Sequence, residues 1–465
     1  MKKTIAFTVF LLMSVLFAEA EALRIQIKDS TLSKPVYLWI KYYENGVLTT
    51  RDSVLINKDN QNDISFNLGN YKGYCEIYYK KNNKGGLGFL YNPLEKNIQI
   101  ELNDNNKERE IIVSNSIENI IGNQLIKASN KIYEAINKIQ FKTATQSRFD
   151  SLYFNKLLGY ERQREKLYDA INLICDSASK DNSMLYASVF ASFLKIPSAT
   201  AFPDLKKDFD NYDAMLHWHY FDFIDFSNPL ILNHPAFNAK IINYFSTYCE
   251  NSNISLNEGI DVLMNKSKAN ETVRNYVFNF LIDYFLKRNN DPEISYLNEK
   301  YLDGCGIQLS SEKLKEFSGI VQTQTGSKIP DVISYDAKNG IRSLYNESEK
   351  NKYTVVYVWM SSCHACQTKT PKLMEQLIAY QKKGLGVFSI SLDENKETWL
   401  LAIQKYKLDK WINVAELKPL PKSDILPKLN IRTTPKLFII DKNGLIVSKD
   451  IFGDELKVKL DELFK

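Results

Sequence analysis

The spacing of apolar residues changes twice along this chain of 465 residues, so no single regular element type can account for all of it. From residue 23 to 115 the pattern reads as strands. Val36 to Tyr43 is rich in β-branched and aromatic residues, and Asn45-Gly46 is a strong hairpin-turn signal. Tyr74 to Tyr79, Gly88 to Tyr91 and Ile98 to Leu102 continue the pattern between Lys- and Asn-rich turns. A small antiparallel β-domain of sandwich type is expected over 23–115. At Ser116 the period changes. Ile117, Ile121, Leu125, Ala128, Ile132, Ile136 and Ile139 recur at intervals of three and four, which marks one face of an amphipathic helix. Helical spacing continues to about residue 318, broken around Pro197 to Pro203 and Pro229 to Pro235. This predicts an α-helical middle domain over 116–320. No repeat of fixed length is present, so a solenoid is not supported.

The second change follows a polar stretch, Val321 to Asp331, which carries Gly326 and Pro330 and reads as a linker. Beyond it, strand and helix patterns alternate. Tyr353 to Trp359 is a buried strand, Cys366 to Tyr380 a helix, Leu385 to Leu392 a strand and Lys396 to Tyr406 a helix. Lys436 to Asp441 and Leu445 to Ser448 are strands joined by a Lys442-Asn443-Gly444 turn, and Glu455 to Phe464 is a final helix. An α/β fold with a mixed sheet is expected over 321–465.

Composition narrows the function classes. The chain is 44% apolar and 25% charged, which excludes wholesale disorder. A net charge of +5 with no Lys/Arg block argues against a nucleic-acid partner. The first residues point to export. Met1-Lys2-Lys3 precedes an apolar run from Ile5 to Phe17, then the overlapping small-x-small sites Ala18-Glu19-Ala20 and Ala20-Glu21-Ala22. These are the parts of a secretory signal peptide over 1–22. The run is too short to span a bilayer comfortably, and no Cys follows it to carry a lipid anchor. No later stretch holds 18 consecutive apolar residues, so the mature chain is expected not to span a membrane and to reside in the periplasm or cell envelope.

An exported chain meets an oxidising compartment, which gives its cysteines weight. Cys75, Cys175, Cys249 and Cys305 are scattered singly, while Cys363-His364-Ala365-Cys366 forms a close pair. Six cysteines in a chain this long are no disulfide scaffold. The pair lies between a predicted strand and a predicted helix. Two thiols at this spacing in a helix's first turn can close a disulfide ring and reopen it by exchange. Cys363 would gain thiolate stability from the helix N-terminus, and Cys366, one turn in, would be less exposed. Cys363 is then the attacking nucleophile and Cys366 the resolving thiol. Half of a zinc site and an inert structural disulfide are the competing readings. No second CxxC is present to complete the former. A peroxiredoxin is disfavoured, because its Thr and Pro positions are occupied by Met360 and Val356. His217, His219 and His234 are read as packed or surface residues, since i and i+2 share a face only on a strand. Neither a metal nor a cofactor is called for, because sulfur carries the exchange itself.

Residues 321–465 resemble the thioredoxin superfamily, in particular the exported TlpA/ResA-like thiol-disulfide oxidoreductases. The resemblance rests on Trp359 in Val-Trp-Met-Ser-Ser-Cys, on Pro371 five residues after the second Cys, and on Thr434-Pro435 before an apolar strand. Ser391-Leu392-Asp393-Glu394 with Trp399 is similar to the insertion of TlpA-like members. The family implies that Pro435 is a cis-proline beside the disulfide and that the Thr434 backbone pairs with an extended substrate. Trp359, Thr434 and Pro435 are accordingly placed at the substrate-binding surface, with Pro371, Tyr357 and Lys369 as structural neighbours. The whole chain is also similar to long envelope proteins with a β-domain and a helical spacer, Tyr220 to Pro229 resembling part of such spacers.

The sequence departs from the family at four places. Ser362 stands where a Trp usually precedes the first Cys, and Tyr357 where thioredoxin has a buried proton-relaying Asp. Lys369 stands where some relatives place an acid; inward it lowers thiol pKa values, outward it is a solvated lysine. His364, between the cysteines, either tunes the thiolate toward oxidising chemistry or contributes only substrate contact. The expectation is an exported thiol-disulfide oxidoreductase acting as a reductase of disulfide-containing envelope proteins, fed by a membrane electron donor. An oxidase or isomerase, or an envelope binding protein with an idle pair, are the alternatives.

Overall fold

The structure, a computed structural model, describes residues 23–28, 34–60, 64–79, 85–104, 109–147, 149–180, 182–198, 212–249, 253–288, 290–302, 309 and 311–465. The expected signal peptide and Cys305 lie outside the described residues. The chain divides into two compact units, one ending at Val277 and one running from Phe278 to Lys465. N-terminal sheets, a helical middle region and a C-terminal mixed sheet make the architecture multidomain.

The first unit opens with strands β1 (Leu23–Lys28), β2 (Val36–Glu44), β3 (Val47–Ile56), β4 (Ile64–Phe66), β5 (Gly73–Tyr79), β6 (Leu87–Tyr91), β7 (Gln99–Asp104) and β8 (Arg109–Ser114). They form two four-stranded sheets, ordered β4-β1-β7-β8 and β3-β2-β5-β6. Pairing is antiparallel except between β1 and β7, which run parallel. The long excursion through the second sheet lets the chain return in the same direction, where hairpins alone would force antiparallel pairing. Burial alternates with period two along β1 and β5. The inward residues of both sheets, Ile25, Ile40, Cys75 and Ile100 among them, join one apolar cluster, as in a sandwich. Asn45 and Gly46 both have positive φ, 48° and 74°, the geometry a two-residue hairpin turn needs.

Ser116 caps the first helix. Its Oγ accepts from the Asn119 N–H at 3.2 Å, which is why the helix starts where the period changes. The unit's helices are α1 (Ile117–Thr145), α2 (Tyr153–Lys180), α3 (Tyr186–Leu194), α4 (Tyr212–His219), α5 (Pro235–Thr247), α6 (Asn253–Ser267) and the first part of α7 (Glu271–Leu286). Glu118 is buried and ties helices to strands. One carboxylate oxygen accepts from Asn92 Nδ2 and the Tyr186 N–H, the other from the Ala187 N–H, each at 2.6 Å. The charge sits at the positive N-terminal end of α3.

The second unit holds the end of α7, α8 (Asp291–Leu297) and α9 (Ser311–Gln322), then a seven-stranded sheet. Its strands are β9 (Ile333–Asp336), β10 (Ile341–Ser343), β11 (Tyr353–Trp359), β12 (Leu385–Ser391), β13 (Ile412–Ala415), β14 (Lys436–Asp441) and β15 (Ile446–Lys449), in the order β10-β9-β13-β12-β11-β14-β15. The central β13-β12-β11 pairs are parallel and the outer pairs antiparallel. Its remaining helices are α10 (Leu344–Ser348), α11 (His364–Gln381), α12 (Lys396–Tyr406), α13 (Ile425–Lys428) and α14 (Gly453–Leu463). Strand β11 is covered on both faces, which explains its unbroken apolar run. Val355, Tyr357 and Trp359 pack with Leu377, Trp399 and Leu456, while Val356 and Val358 pack with Leu344 and Leu429.

The stretch read as a linker is built into the fold. Its first residues end α9, and Gly326 N–H donates to Ile446 O at 2.8 Å. Ile329 is fully buried and its N–H donates to Gly444 O at 2.9 Å, so polarity around one anchoring Ile hid a packed segment.

Candidate active site

Three chain segments separated by roughly 30 to 40 residues meet at one end of the second unit's sheet. Trp359, the last residue of β11, pairs in register with Ser391 at the end of β12, and Val358 pairs with Lys436 at the start of β14. The loop carrying Cys363, the loop carrying Asp393 and the peptide before Lys436 therefore leave the sheet side by side.

Cys363 is the N-cap of α11, with its backbone extended, so its sulfur faces the unpaired N–H groups of the first turn. Its Sγ accepts from the Cys366 N–H at 3.2 Å. On its other side the Cys363 thiol donates to Thr434 O at 3.3 Å. The Thr434–Pro435 peptide bond is cis, and Pro435 is half-buried. Cys363 and Cys366 stand as free thiols. They differ sharply in setting. Cys363 is half-buried, whereas Cys366 is 1% exposed. Burial, the largest influence on Cys363, opposes ionisation. Hydrogen bonds from the side chains of Cys366 and Thr434 and from the N–H groups of Cys366 and Ala365 outweigh it, and its pKa falls below the ordinary thiol value. At Cys366 burial comes first and the hydrogen bond to Cys363 adds to it, and its pKa is pushed up to about 12. The pair is thus asymmetric: hydrogen bonds favour the thiolate at Cys363, and burial favours the protonated thiol at Cys366.

The other expected residues fall on different sides of the pair. Tyr357 lies behind Cys366, fully buried, with its hydroxyl 2.8 Å from Thr370 Oγ1. Burial raises its pKa, so it stays a neutral phenol. Pro371 lies inside α11 and leaves the helix unbroken. His364 is exposed at the first helical position and bonds to neither sulfur. Lys369 points outward, its ammonium 4.2 Å from the centre of the Phe452 ring, and does not reach the thiols. Trp359 corrects an expectation. It was placed at the substrate surface, but its ring is 0% exposed and its Nε1 donates to Ser389 Oγ at 2.8 Å. A strand end covered on both faces places it in the core and away from any substrate surface.

Asp393 was missed as a site residue. It is 5% exposed, and its carboxylate accepts from the Ser361 N–H at 3.1 and 3.2 Å, from Ser361 Oγ at 2.6 Å and from Ser391 Oγ at 2.6 Å. Gln367 Nε2 donates to Ser361 O at 2.9 Å. These bonds fix the loop that delivers Cys363 to α11. An Asp two residues after a buried strand's last Ser was the available signal, but nothing in the sequence said which loop it faced.

Among the described residues no three potential ligands cluster to hold a metal ion. His217 Nδ1 is bonded to Tyr248 O at 3.0 Å and His219 Nδ1 to Asp222 at 2.7 Å. Among the described residues no helix is long and apolar enough to cross a membrane.

Residues 351–446 match a family model described as thioredoxin-like, and this part of the chain is a thioredoxin-like domain. Similar solved structures include the thioredoxin domain of a thiol-disulfide oxidoreductase from Bacteroides vulgatus. It is 30% identical over 30% of this chain and 99% of its own, with a TM-score of 0.28. A thiol:disulfide interchange protein from a Bacteroides species is 30% identical over 31% of this chain and 91% of its own, with a TM-score of 0.28. A thioredoxin-like protein from Bacteroides caccae is 18% identical over 54% of this chain and 92% of its own, with a TM-score of 0.36. No curated protein sequence matches the chain.

Proposed function

We propose that the protein is an exported thiol-disulfide oxidoreductase that reduces disulfides of envelope proteins through Cys363 and Cys366. The observation that carries this reading is the asymmetric pair at the start of α11, one sulfur half-exposed at the helix N-terminus against a cis-proline peptide and the other buried. The Cys363 thiolate attacks one sulfur of a client disulfide, and the other sulfur leaves as a thiolate that takes up a proton. Cys366 then loses its proton and attacks Cys363 in the mixed disulfide, which releases the second client thiol. The client gains two electrons and two protons, and the protein is left with a Cys363–Cys366 disulfide. A dithiol donor must restore it, and for an exported chain that donor belongs in the membrane. Thr434 and Pro435 form the surface beside which the client's extended segment lies.

Direction follows from what stabilises the Cys363 thiolate. Neither His364 nor Lys369 bonds to a sulfur, so backbone N–H groups and side-chain hydrogen bonds act without a cation at the pair. That favours a reducing poise. The test is insulin-disulfide reduction by the full chain and by Cys363→Ser, with the reduction potential measured in defined thiol buffers. Turnover lost in the variant and a potential of about −270 mV support a reductase. A potential of roughly −120 to −180 mV makes the protein a disulfide donor or isomerase. Equal rates for the two proteins remove the catalytic assignment.

A further inference from the structure

The second unit carries a groove that the exchange chemistry does not use. It consists of two adjoining depressions of about 370 and 540 Å³, which share Lys315, Asp424 and Pro427. Helix α9 forms one wall, and the segment from Leu420 to Arg432 forms the other. The apolar lining comes from Leu420, Pro421, Leu426 and Ile431. Arg432, which also lines it, lies two residues before the Thr434 whose carbonyl touches Cys363. The groove is thus continuous in sequence with the surface that presents a client disulfide.

Its charge is one-sided. Asp424 is bonded to Lys418 at 2.7 Å, and Arg432 is 3.6 Å from Asp291, so each of these pairs is balanced. Lys315, Lys422 and Lys428 are exposed, and among the described residues none is within ion-pair distance of a carboxylate. Three lysines and Arg432 therefore outnumber the single carboxylate, Asp424, in a trough of mixed polar and apolar lining.

The walls are also fixed before any partner arrives. A Cβ on Gly319 would lie 1.9 Å from the Pro427 carbonyl oxygen, so the α9 backbone sits directly on the opposite wall. Arg432 Nη1 donates to Leu286 O at 3.1 Å, while Asn430 Nδ2 and Lys449 Nζ each reach Asp291 Oδ2 at 3.3 Å. A preformed trough lowers the ordering cost of binding an extended chain.

We propose that this groove docks an acidic, partly apolar stretch of the client polypeptide, so that the protein selects substrates whose disulfide is flanked by Asp or Glu. The inference rests on the exchange reading above and names its substrate class. Carboxylates meet the three lysines, and interspersed apolar side chains meet the Leu and Pro lining.

The test uses the full chain and three quenched-fluorophore disulfide peptides, identical except for Glu-, Gln- or Lys-containing flanks. A disulfide-free Glu peptide, read by fluorescence anisotropy, reports docking alone. The expected result is a kcat/KM about tenfold higher for the Glu peptide than the Gln peptide at low salt, shrinking toward parity at 0.5 M NaCl. Lys315→Glu with Lys422→Glu is expected to reverse that order, and Lys428→Glu alone to weaken it. Equal turnover of all three peptides, or an order unmoved by the double variant, overturns the inference. If no peptide is reduced but the disulfide-free Glu peptide binds and the double variant loses it, docking stands and the exchange reading falls.

Discussion

The two units hold the same chemical group under opposite conditions. In the first, Cys75, Cys175 and Cys249 are buried among apolar side chains, and burial raises every one of their pKa values, to about 12 for Cys175 and Cys249. In the second, burial also opposes ionisation at Cys363, yet its pKa falls, because a helix N-terminus and two side chains donate to its sulfur. Burial opposes ionisation in both units; at half-buried Cys363 the donors aimed at the sulfur outweigh it, whereas at the fully buried cysteines burial prevails even where a donor is present.

Substitution at the reactive thiol tests this contrast most severely. Cys363→Ser is expected to lower disulfide turnover by about 10³-fold or more. Cys175→Ser and Cys249→Ser should leave it unchanged, and a comparable loss in either would erase the distinction. Alkylation is the next test. At pH 7 iodoacetamide should label Cys363 of the native reduced protein, while Cys366, Cys75, Cys175 and Cys249 stay unmodified until the chain is unfolded, as read by peptide mass. The Cys363 rate should rise with pH and level off below the ordinary thiol pKa. It falls as pH drops through the folded pKa, because the thiolate is the attacking form. Equal labelling of Cys175 and Cys363 at neutral pH would contradict the assigned environments.

Two buried charges extend the comparison. Asp393 is surrounded by N–H and O–H donors. Lys240 in the first unit donates to Phe193 O at 3.2 Å and Lys195 O at 2.8 Å, and lies 4.3 Å from the centre of the Tyr220 ring. Asp393→Ala strands the Ser361 N–H and should cost about 2–3 kcal/mol in urea unfolding, with a slower Cys363 alkylation rate. Unchanged alkylation would mean that Asp393 stabilises the fold without positioning the nucleophile. Burial lowers the Lys240 pKa to about 7. The unfolded chain then binds more protons than the folded one between about pH 7 and the ordinary lysine range, so stability rises with pH across that window. Lys240→Met should flatten this rise by about 1–3 kcal/mol, since the carbonyls and ring offset part of the burial penalty. An unaltered pH slope would locate the titration elsewhere. The smallest effect is expected from Tyr357→Phe, which removes one hydroxyl contact to Thr370 and should change stability by about 1 kcal/mol or less.

Much of the architecture was legible because it follows from local stereochemistry. Tyr353–Trp359, Lys396–Tyr406 and Lys436–Asp441 carry patterns long enough to fix both type and extent. Strands β4, β9, β10 and β13 hold three or four residues each, too few for a period to show. Of the site, the Cys pair and Thr434-Pro435 were visible as motifs. Trp359 was misplaced because a motif gives neighbours along the chain and not which face is covered. Asp393 was missed because the donors that tie it to the site, the Ser361 N–H and Oγ, come from a turn 32 residues earlier.

The sequence by itself determined where strands give way to helices, and it put two thiols in the first turn of a helix. Both depend on interactions within a few residues. Tertiary structure alone decided that one sulfur is half-exposed and the other sealed, that Thr434 O lies 3.3 Å from Cys363, and that Asp393 holds the loop leading into Cys363. Those outcomes depend on strand register. Pairing Trp359 with Ser391 and Val358 with Lys436 carries three distant loops to one sheet end, and a slip of one residue would turn every one of these side chains to the opposite face.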